Sequence, residues 1–379
     1  MAAFTLLNRI ISPLGMWLML FLLLSESSLI GRIAAFVATL LQHKQSLPLP
    51  PTFAHSVSAH GCREVGEGTR RGVDILVGVM RLRIDLAYDG GGFFGWAKQP
   101  TIRTVQGEIE RVLHTITRVP VDDPAEPLRL TVAGRTDTGV HASHQVCHLD
   151  IGEETLSRCV GHMSVPPTVA LKHRLQRMLP ADITIHDVTV APSGFDARFS
   201  ALERTYVYRV ADRASEVDPR LRGFVLHLDA DLDVAAMNEA AAMTIGLHDF
   251  GSFATPNPGG TTIREVKTAY WRRIPTRPLV VDGMGERYRT PAAESDLLCF
   301  TIVADAFARN MVRSLVGGCI QVGMGKRSTD WFREKMAVPL REGSTGPIAP
   351  QGLTLEHVAY PADDELAERA ERIRAKRTL

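Results

Sequence analysis

The clearest pattern of apolar and polar positions begins at Met80. Residues 80–88 alternate with a period of two, which is typical of a strand with one buried face. Between Val105 and Ile116, apolar residues recur at the spacing of one helix face. The same reasoning predicts strands at 128–132, 145–150, 183–190, 205–210, 297–303 and 356–360, and helices at 171–179, 233–246 and 310–322, after Ser328 and in the tail from Asp363.

The order of these elements indicates the fold class. Strands are mixed with helices without the strict alternation of a parallel sheet, so the pattern favours an α+β fold. Each side of residues 195–203 has its own predicted strands and helices. We therefore predict an N-terminal half at 80–196, a C-terminal half at 197–361 and a charged tail at 362–379.

The first 79 residues differ in character from the rest. Residues 14–24 form a strongly apolar run, and a second apolar stretch at 29–41 is interrupted by Gly31 and Arg32. Neither run reaches the roughly 20 residues of a spanning helix, and a poor signal-cleavage site follows the first. We interpret residues 1–79 as a disordered extension or a misassigned start, with the functional protein beginning near Met80. The alternative is a membrane anchor or targeting segment, and a membrane partner is not expected unless residues 10–41 are retained.

Composition narrows the class of protein only a little. With 45% hydrophobic and 22% charged residues among 379, the chain has the composition of an ordinary globular protein. Its formal net charge of +1 neither indicates nor excludes a nucleic-acid partner, because a basic face can coexist with acidic residues elsewhere. The five cysteines are scattered without a Cys-x-x-Cys pair, so we expect free thiols in a reducing compartment.

The segment with the most chemical information is residues 134–141, Gly-Arg-Thr-Asp-Thr-Gly-Val-His. It follows a predicted strand, and its two glycines allow the backbone conformations of a strained functional loop. Asp137 could act there as a nucleophile or as a base. A plain turn, in which Asp137 bonds its own backbone, explains the same residues, and the octapeptide alone leaves both interpretations open.

Several other segments, in a fixed order, favour the catalytic interpretation of Asp137 over the plain turn. They are Phe-Asp-Ala-Arg-Phe-Ser-Ala at 195–201, Arg204-Thr-Tyr206-Val-Tyr208, and residues 88–90, 94–96, 104–106, 248–253, 304–317 and 350–355. Together with residues 134–141, these segments resemble the A-type tRNA pseudouridine synthases over about residues 80–361. The chain departs from the family's usual residues at Thr138, Asp196 and Gln176, and Asp196 adds a negative charge near the expected RNA surface.

The resemblance implies a fold, an activity and partners. The implied fold is α+β, with two related halves whose antiparallel sheets join into one extended sheet, helices packed on one face and the active cleft between the halves. The implied activity is isomerisation of uridine to pseudouridine in the anticodon stem-loop of tRNA, at positions 38–40, by a cytoplasmic homodimer. The reaction is redox-neutral and stays within one nucleotide, so no metal or organic cofactor is expected.

The resemblance also assigns roles to individual residues. Asp137 is the implied catalytic aspartate, which either attacks C1′ of the ribose or abstracts the 2′ proton. Arg313 is expected to pair with this carboxylate, lowering its pKa and fixing its orientation. Tyr206 is expected to stack on the target base and Leu353 to line the uracil pocket. Arg135 is expected to occupy the space that the flipped base vacates and to hold that base.

Other residues give less specific signals. Tyr208 shares a strand face with Tyr206 and is better explained by sheet packing. Four basic residues are candidates for gripping the RNA stem through its phosphates, with simple surface charge as an equal alternative: Lys98, Arg103, Arg198 and Arg264. Three histidines follow a turn into a strand, where they would not share a helical face, so we predict no metal site there: His141, His144 and His148.

Two other functions remain open from the sequence. A non-catalytic tRNA-binding or RNA-folding protein could keep the same scaffold, although such a protein does not need Asp137, Arg313 and Tyr206 together. A membrane-anchored protein with a catalytic head is the other, and it depends on the apolar runs at 14–24 and 29–41.

Overall fold

The computed structural model describes residues 78–216, 218–257, 259–276 and 294–374. These residues all belong to one compact unit, which spans residues 73–379. The apolar runs at 14–24 and 29–41 lie outside the described residues, and so does nearly all of the predicted extension. Within the described ranges, no helix is long and apolar enough to cross a membrane.

Seven helices occur among the described residues. The first begins and ends at local signals: Thr104 accepts a hydrogen bond from the N–H of Gly107 (3.3 Å), and Arg118 ends the helix with a left-handed φ of 60°. The helices are α1 (Val105–Thr117), α2 (Glu153–Arg158), α3 (Pro167–Met178), α4 (Val234–Ala242), α5 (Met311–Gly323), α6 (Thr329–Ala337) and α7 (Leu366–Arg374).

The described residues also form ten strands in a single sheet. The strands are β1 (Val79–Tyr88), β2 (Thr131–Val132), β3 (His141–Gly152), β4 (Ile183–Val190), β5 (Glu203–Ala211), β6 (Leu226–His227), β7 (Gly246–Asp249), β8 (Ile263–Arg273), β9 (Leu298–Ala304) and β10 (Leu353–Ala359). The main path is β4–β1–β3–β10–β5–β9–β8–β7, with β2 on β3 and β6 on β5. The architecture is α+β, which confirms the predicted fold class.

A short parallel pairing joins the strands of the two sequence-predicted halves. Strand β10 pairs with β3 through Thr354 opposite His141 and Leu355 opposite Ala142, and it pairs with β5 in the antiparallel sense on its other side. The strands of both halves therefore lie in one extended sheet. The boundary itself, near residues 195–203, stays a prediction.

Alternation along the strands places the core on one face of the sheet. In β1, Leu82, Ile84 and Leu86 are fully buried, while the residues between them are half-buried. Strand β5 repeats the pattern with Tyr206 and Tyr208 on its buried face. Because full burial of an apolar side chain contributes about 2 kcal/mol, this inward face is the main source of stability for the sheet.

The predicted strand at 183–190 is confirmed at both ends, but the one at 128–132 is mostly wrong. The main chain of Leu130 bonds side chains of α1 instead of a neighbouring strand. Its N–H donates to the Glu110 carboxylate (3.1 Å), and its carbonyl accepts from Gln106 Nε2 (3.2 Å). Partners supplied by a distant helix leave no trace in local alternation, so the pattern overestimated this strand.

Two further elements differ from the prediction. The helix that Asp233 begins is shorter than predicted: it ends at Ala242, and β7 begins at Gly246, whose φ of 112° is accessible to glycine. Strand β8 was not predicted because a register shift between Val266 and Thr268 breaks its alternation. The short elements α2, β6 and β7 were not predicted either.

Four of the cysteines lie in the described part of the chain, and each is a buried free thiol. Burial raises the pKa of Cys147, and burial also raises the pKa of Cys319 to about 12. Thiols held protonated in this way are poor nucleophiles, which assigns these cysteines to packing. Cys62 lies outside the described residues.

Candidate active site

The loop that carries Asp137 connects β2 to β3. Asp137 is half-buried. The chain between β1 and α1 holds this loop through two backbone hydrogen bonds: Trp96 N–H donates to the Thr136 carbonyl (3.1 Å), and Gly139 N–H donates to the Phe93 carbonyl (3.2 Å). The carboxylate is thus presented by a loop that is fixed on both sides of it.

Two glycines allow this close approach. Gly95 has a φ of 87°, and a Cβ there would lie 2.9 Å from the Thr136 carbonyl oxygen. Gly139 has a φ of 76°, and a Cβ there would lie 2.7 Å from Cγ of Pro350. Both the conformation and the space favour glycine at these positions. The Asp137 loop is therefore packed against Gly95 on one side and Pro350 on the other.

A buried polar cluster supports the same loop from inside. The hydroxyls of Tyr88 and Thr136 share a hydrogen bond (2.8 Å), and Gln145 Nε2 donates to the Gly134 carbonyl (2.8 Å) and to the Tyr88 hydroxyl (3.2 Å). Burial raises the pKa of Tyr88 to about 12. Sequence reasoning missed this cluster, although a signal exists: Gln145 is a polar residue on the same strand face as the apolar Cys147, Leu149 and Ile151.

Strand β5 carries two tyrosines, of which Tyr206 belongs to the candidate site. Tyr206 is buried, and its ring meets the edge of Phe307 at 5.1 Å between centroids. Burial is the main cause that raises the pKa of Tyr206, and the nearby Tyr88 and Asp137 raise it further. Tyr208 is fully buried, and its hydroxyl donates to the Ala349 carbonyl (2.7 Å), which agrees with the packing role predicted for it.

Arg313 lies in the first turn of α5, half-buried, and its Nε donates to the Ile348 carbonyl (2.6 Å). Burial lowers the pKa of Arg313, while the negative charge of Asp137 acts in the opposite direction. The two groups are therefore close enough to interact electrostatically. Among the described residues no salt bridge joins them, and the pairing implied by the resemblance stays a prediction.

The segment before β10 connects the other parts of the site. Ile348 and Arg313 bond each other through Ile348 N–H to the Arg313 carbonyl (3.2 Å) and through the guanidinium bond to the Ile348 carbonyl. Pro350 packs on Gly139, and its carbonyl accepts from Leu353 N–H (2.9 Å). Leu353 is buried opposite Tyr208 in the β10–β5 register.

The structure therefore brings together residues that lie far apart in the sequence. Asp137, Tyr206, Arg313 and Leu353 belong to four segments that contact one another through the bonds and packing described above. Arg135 lies on the same loop as Asp137 and is exposed to solvent. The arrangement combines a carboxylate, a cationic neighbour, a buried aromatic ring and an apolar wall.

The four basic residues predicted to grip RNA have different surroundings. Arg103 has a structural role, since it forms two bonds to Asp182 (2.7 and 2.9 Å) and stacks over Phe93. Lys98 pairs with the buried Glu110 (3.1 Å). The other two contact neighbours in the chain: Arg198 lies over the Phe199 ring, and Arg264 donates to the Ile263 carbonyl.

The three histidines of β3 each have a separate partner. His141 Nδ1 accepts from Gly90 N–H, His148 Nδ1 accepts from Ala197 N–H, and His144 Nε2 contacts Asp85, all at 3.0 Å. The part of the chain that the structure describes contains no group of side chains arranged to hold a metal ion. These histidines are explained by local packing and hydrogen bonding.

Two of the departures from the family's usual residues also have local explanations. The Asp196 carboxylate accepts from the N–H groups of Arg198 (2.8 Å) and Phe199 (2.9 Å), so its charge stabilises a turn. Gln176 Nε2 donates to the Ile185 carbonyl (2.8 Å) and ties α3 to β4.

Known proteins are similar to this chain over most of its length. A family model described as tRNA pseudouridine synthase matches residues 240–361, which include Arg313 and Leu353. A protein named tRNA pseudouridine synthase A from Bifidobacterium longum is 75% identical over 301 residues, which cover 79% of this chain and 99% of that protein. The protein of the same name from Streptomyces griseus is 46% identical over 302 residues, 80% of this chain and 95% of that protein.

Because identity of this level extends over nearly the whole length of the relatives, the protein is an isomerase that forms pseudouridine. The chain belongs to the tRNA pseudouridine synthase A family.

Proposed function

We propose that this enzyme converts uridine to pseudouridine in the anticodon stem-loop of tRNA, at positions 38–40, with Asp137 as its catalytic carboxylate. The observation that carries the proposal is the position of Asp137, on a loop held at Trp96 and Gly139, within electrostatic range of Arg313 and Tyr206. A plain surface turn would not need this support or these neighbours.

The reaction needs one ionised carboxylate and no redox partner. The N-glycosidic bond breaks, the uracil turns, and a bond forms between C5 and C1′. A base then takes the proton from C5 while N1 gains a proton, so substrate and product have the same atoms. Asp137 would either attack C1′ or remove the 2′ proton, and both routes begin from its ionised form.

The remaining side chains fit the handling of a turning base. The Tyr206 ring offers a stacking face that makes no rigid hydrogen bonds, so a uracil could rotate against it. Leu353 adds an apolar wall. Arg135 is exposed on the catalytic loop, where it can enter the stem and hold the extruded nucleotide. Extrusion costs about a few kcal/mol, which these contacts must offset.

We also propose that the enzyme acts in the cytoplasm as a homodimer, so that one tRNA contacts both subunits. The alternative, a non-catalytic tRNA-binding protein on the same scaffold, is less well supported because pure binding does not need the Asp137–Arg313–Tyr206 arrangement.

Tritium release from tRNA labelled with [5-³H]uridine tests the chemistry directly, because the C5 proton must leave when the new bond forms. We expect release by the full-length protein and none by Asp137→Ala or Asp137→Asn, with tRNA affinity of both variants within about threefold of wild type, since neither change removes a phosphate contact. Release by either variant would refute the role of Asp137.

A second set of tritium-release assays tests which positions of the tRNA are modified. Substrates that carry uridine at only one of positions 38, 39 and 40 should each release tritium, and a tRNA with none of the three should not. Tight binding without release from any substrate would favour the non-catalytic alternative.

A further inference from the structure

Arg204 is a buried cation at the junction of three segments of the site. Only 7% of the residue is exposed. Its guanidinium donates to three backbone carbonyls: Nη1 to Asp305 (2.6 Å), and Nη2 to Ala133 (2.6 Å) and Arg198 (2.9 Å). A buried charge is costly unless it is bonded, so these carbonyls are needed to hold it.

The acceptors belong to the segments that carry the candidate catalytic groups. Ala133 directly precedes the loop that presents Asp137. Asp305 directly follows β9 and begins the chain that leads into α5 and Arg313. Arg204 itself lies two positions before Tyr206 on the same buried face of β5. One guanidinium thus bonds both of these segments from the strand that carries Tyr206.

We propose that Arg204 is a positioning residue, which fixes the Asp137 loop relative to the chain that carries Arg313. This inference rests on the proposed catalytic role of Asp137. Arg204 bonds only main-chain oxygens at these three points, so it sets the separation of the two segments and takes no part in the chemistry itself.

The geometry of the guanidinium explains why arginine is required. Its donors lie in one rigid plane and point in different directions, so it can bond carbonyls on opposite sides at once. A lysine ammonium carries its donors on a single atom and has no such spread. Arg204→Lys therefore keeps the charge but releases at least one of the two segments.

Strand β5 offers a matched control in Arg209. It is also mostly buried, on the opposite face of the strand, where its guanidinium pairs with Glu294 and Glu356. Arg209→Lys removes the same chemical group from the same strand without touching the Ala133 or Asp305 carbonyls.

The test is single-turnover tritium release with full-length enzyme in excess over labelled tRNA. We expect Arg204→Lys to lower the rate constant about tenfold or more, and Arg209→Lys to change it less than about threefold, with tRNA affinity retained by both. A purely structural role would reduce the active fraction but leave the rate constant of the folded enzyme unchanged, so the rate constant separates the two explanations.

A further readout addresses the mechanism. The effects of Arg204→Lys and Arg313→Lys should be non-additive, whereas those of Arg209→Lys and Arg313→Lys should add. Should the lysine variant fail to fold, Arg204→Gln gives a second test with the same expected outcomes.

A rate constant for Arg204→Lys within twofold of that of Arg209→Lys would overturn the inference. Failure of the proposed function has a different signature, which is no release by wild type or continued release by Asp137→Asn. The two failures are therefore distinguishable in one set of measurements.

Discussion

Two buried tyrosines lie beside the candidate catalytic loop, and burial keeps both phenols protonated. The pKa of Tyr88 is raised to about 12, and the pKa of Tyr206 is raised above its ordinary value by burial, by Tyr88 and by Asp137. A phenol in this state cannot act as a base near neutral pH, but it can donate a hydrogen bond or a proton. Because both phenols stay protonated, Asp137 is the group near them that could act as a base or a nucleophile.

The ring and the hydroxyl of Tyr206 can be separated by mutation. We expect Tyr206→Phe to bind tRNA within about threefold of wild type, because stacking survives, and Tyr206→Leu to bind about tenfold more weakly. We also expect Tyr206→Phe to slow single-turnover tritium release about tenfold, because the phenol that could give a proton to N1 of the uracil as the C5 proton leaves is lost.

Tyr208→Phe is the matched control for this prediction. Its hydroxyl bonds the Ala349 carbonyl, so its loss should lower the free energy of unfolding by about 1 kcal/mol with little effect on the rate of release. Equal tRNA affinities for Tyr206→Phe and Tyr206→Leu, measured by filter binding, would contradict the stacking role.

At the scale of single elements, the sequence predicted what local chemistry determines. Alternation located β4 to the residue, and the helix starts expected at Asp233 and Ser328 are confirmed by the structure. The sequence prediction failed where the local conformation depends on a partner from another part of the chain. The Leu130 main chain is satisfied by α1, and the shift in β8 responds to the register of β9.

In the candidate site too, the sequence predicted local features but not the contacts between distant segments. The octapeptide identified the loop, but the sequence could not show that Pro350 packs on it or that Arg204 bonds its base, since both contacts join residues far apart in the chain. Arg313 was expected to pair with Asp137, and the sequence could not show that its Nε also bonds the Ile348 carbonyl. The roles carried over from the resemblance stay predictions until they are tested.

The contact between the Asp137 loop and Pro350 leads to a prediction at this scale. Gly139→Ala should slow tritium release about tenfold or more, because a Cβ at 2.7 Å from the Pro350 ring must displace one of the two segments. It should also destabilise the fold by about 1 kcal/mol through its positive φ.

Gly325→Ala is the control for the backbone strain alone. Its φ of 66° is similar to that of Gly139, but a Cβ there would meet no atom within 4 Å. We expect a similar loss of stability by thermal unfolding without loss of rate. If both variants released tritium at the wild-type rate, the Pro350 contact would have no part in positioning the loop.

At the scale of the whole molecule, the position of β10 is the feature that local patterns could not reveal. This strand comes last in the chain, yet it lies between β3 and β5 and pairs with both. Its insertion joins the strands of the two predicted halves and places Leu353 next to Tyr208 and Pro350 next to Gly139. The candidate site therefore includes residues from the last strand of the chain, which lies between strands of both predicted halves.

The stability of this fold should depend on pH through His148, which is buried in β3 and accepts a hydrogen bond from Ala197 N–H. Burial first, and then the charge of Arg81, lower the pKa of His148 to about 4. The unfolded chain therefore binds a proton near pH 6.5 that the folded protein takes up only near pH 4. Stability is fully present above pH 6.5 and falls as the pH drops through this window.

We expect this histidine to account for a loss of about 2 kcal/mol in the free energy of unfolding between pH 7 and pH 4.5. His148→Gln cannot be protonated, so its denaturant-unfolding curves should show a correspondingly smaller loss over the same range, whatever its stability at pH 7. His162→Gln, at an exposed position, controls for the removal of a histidine and should behave as wild type. A parallel decline of wild type and His148→Gln would show that other groups, such as the Asp85 and Asp150 carboxylates, govern the acid sensitivity, since the pKa of each is lowered in the fold.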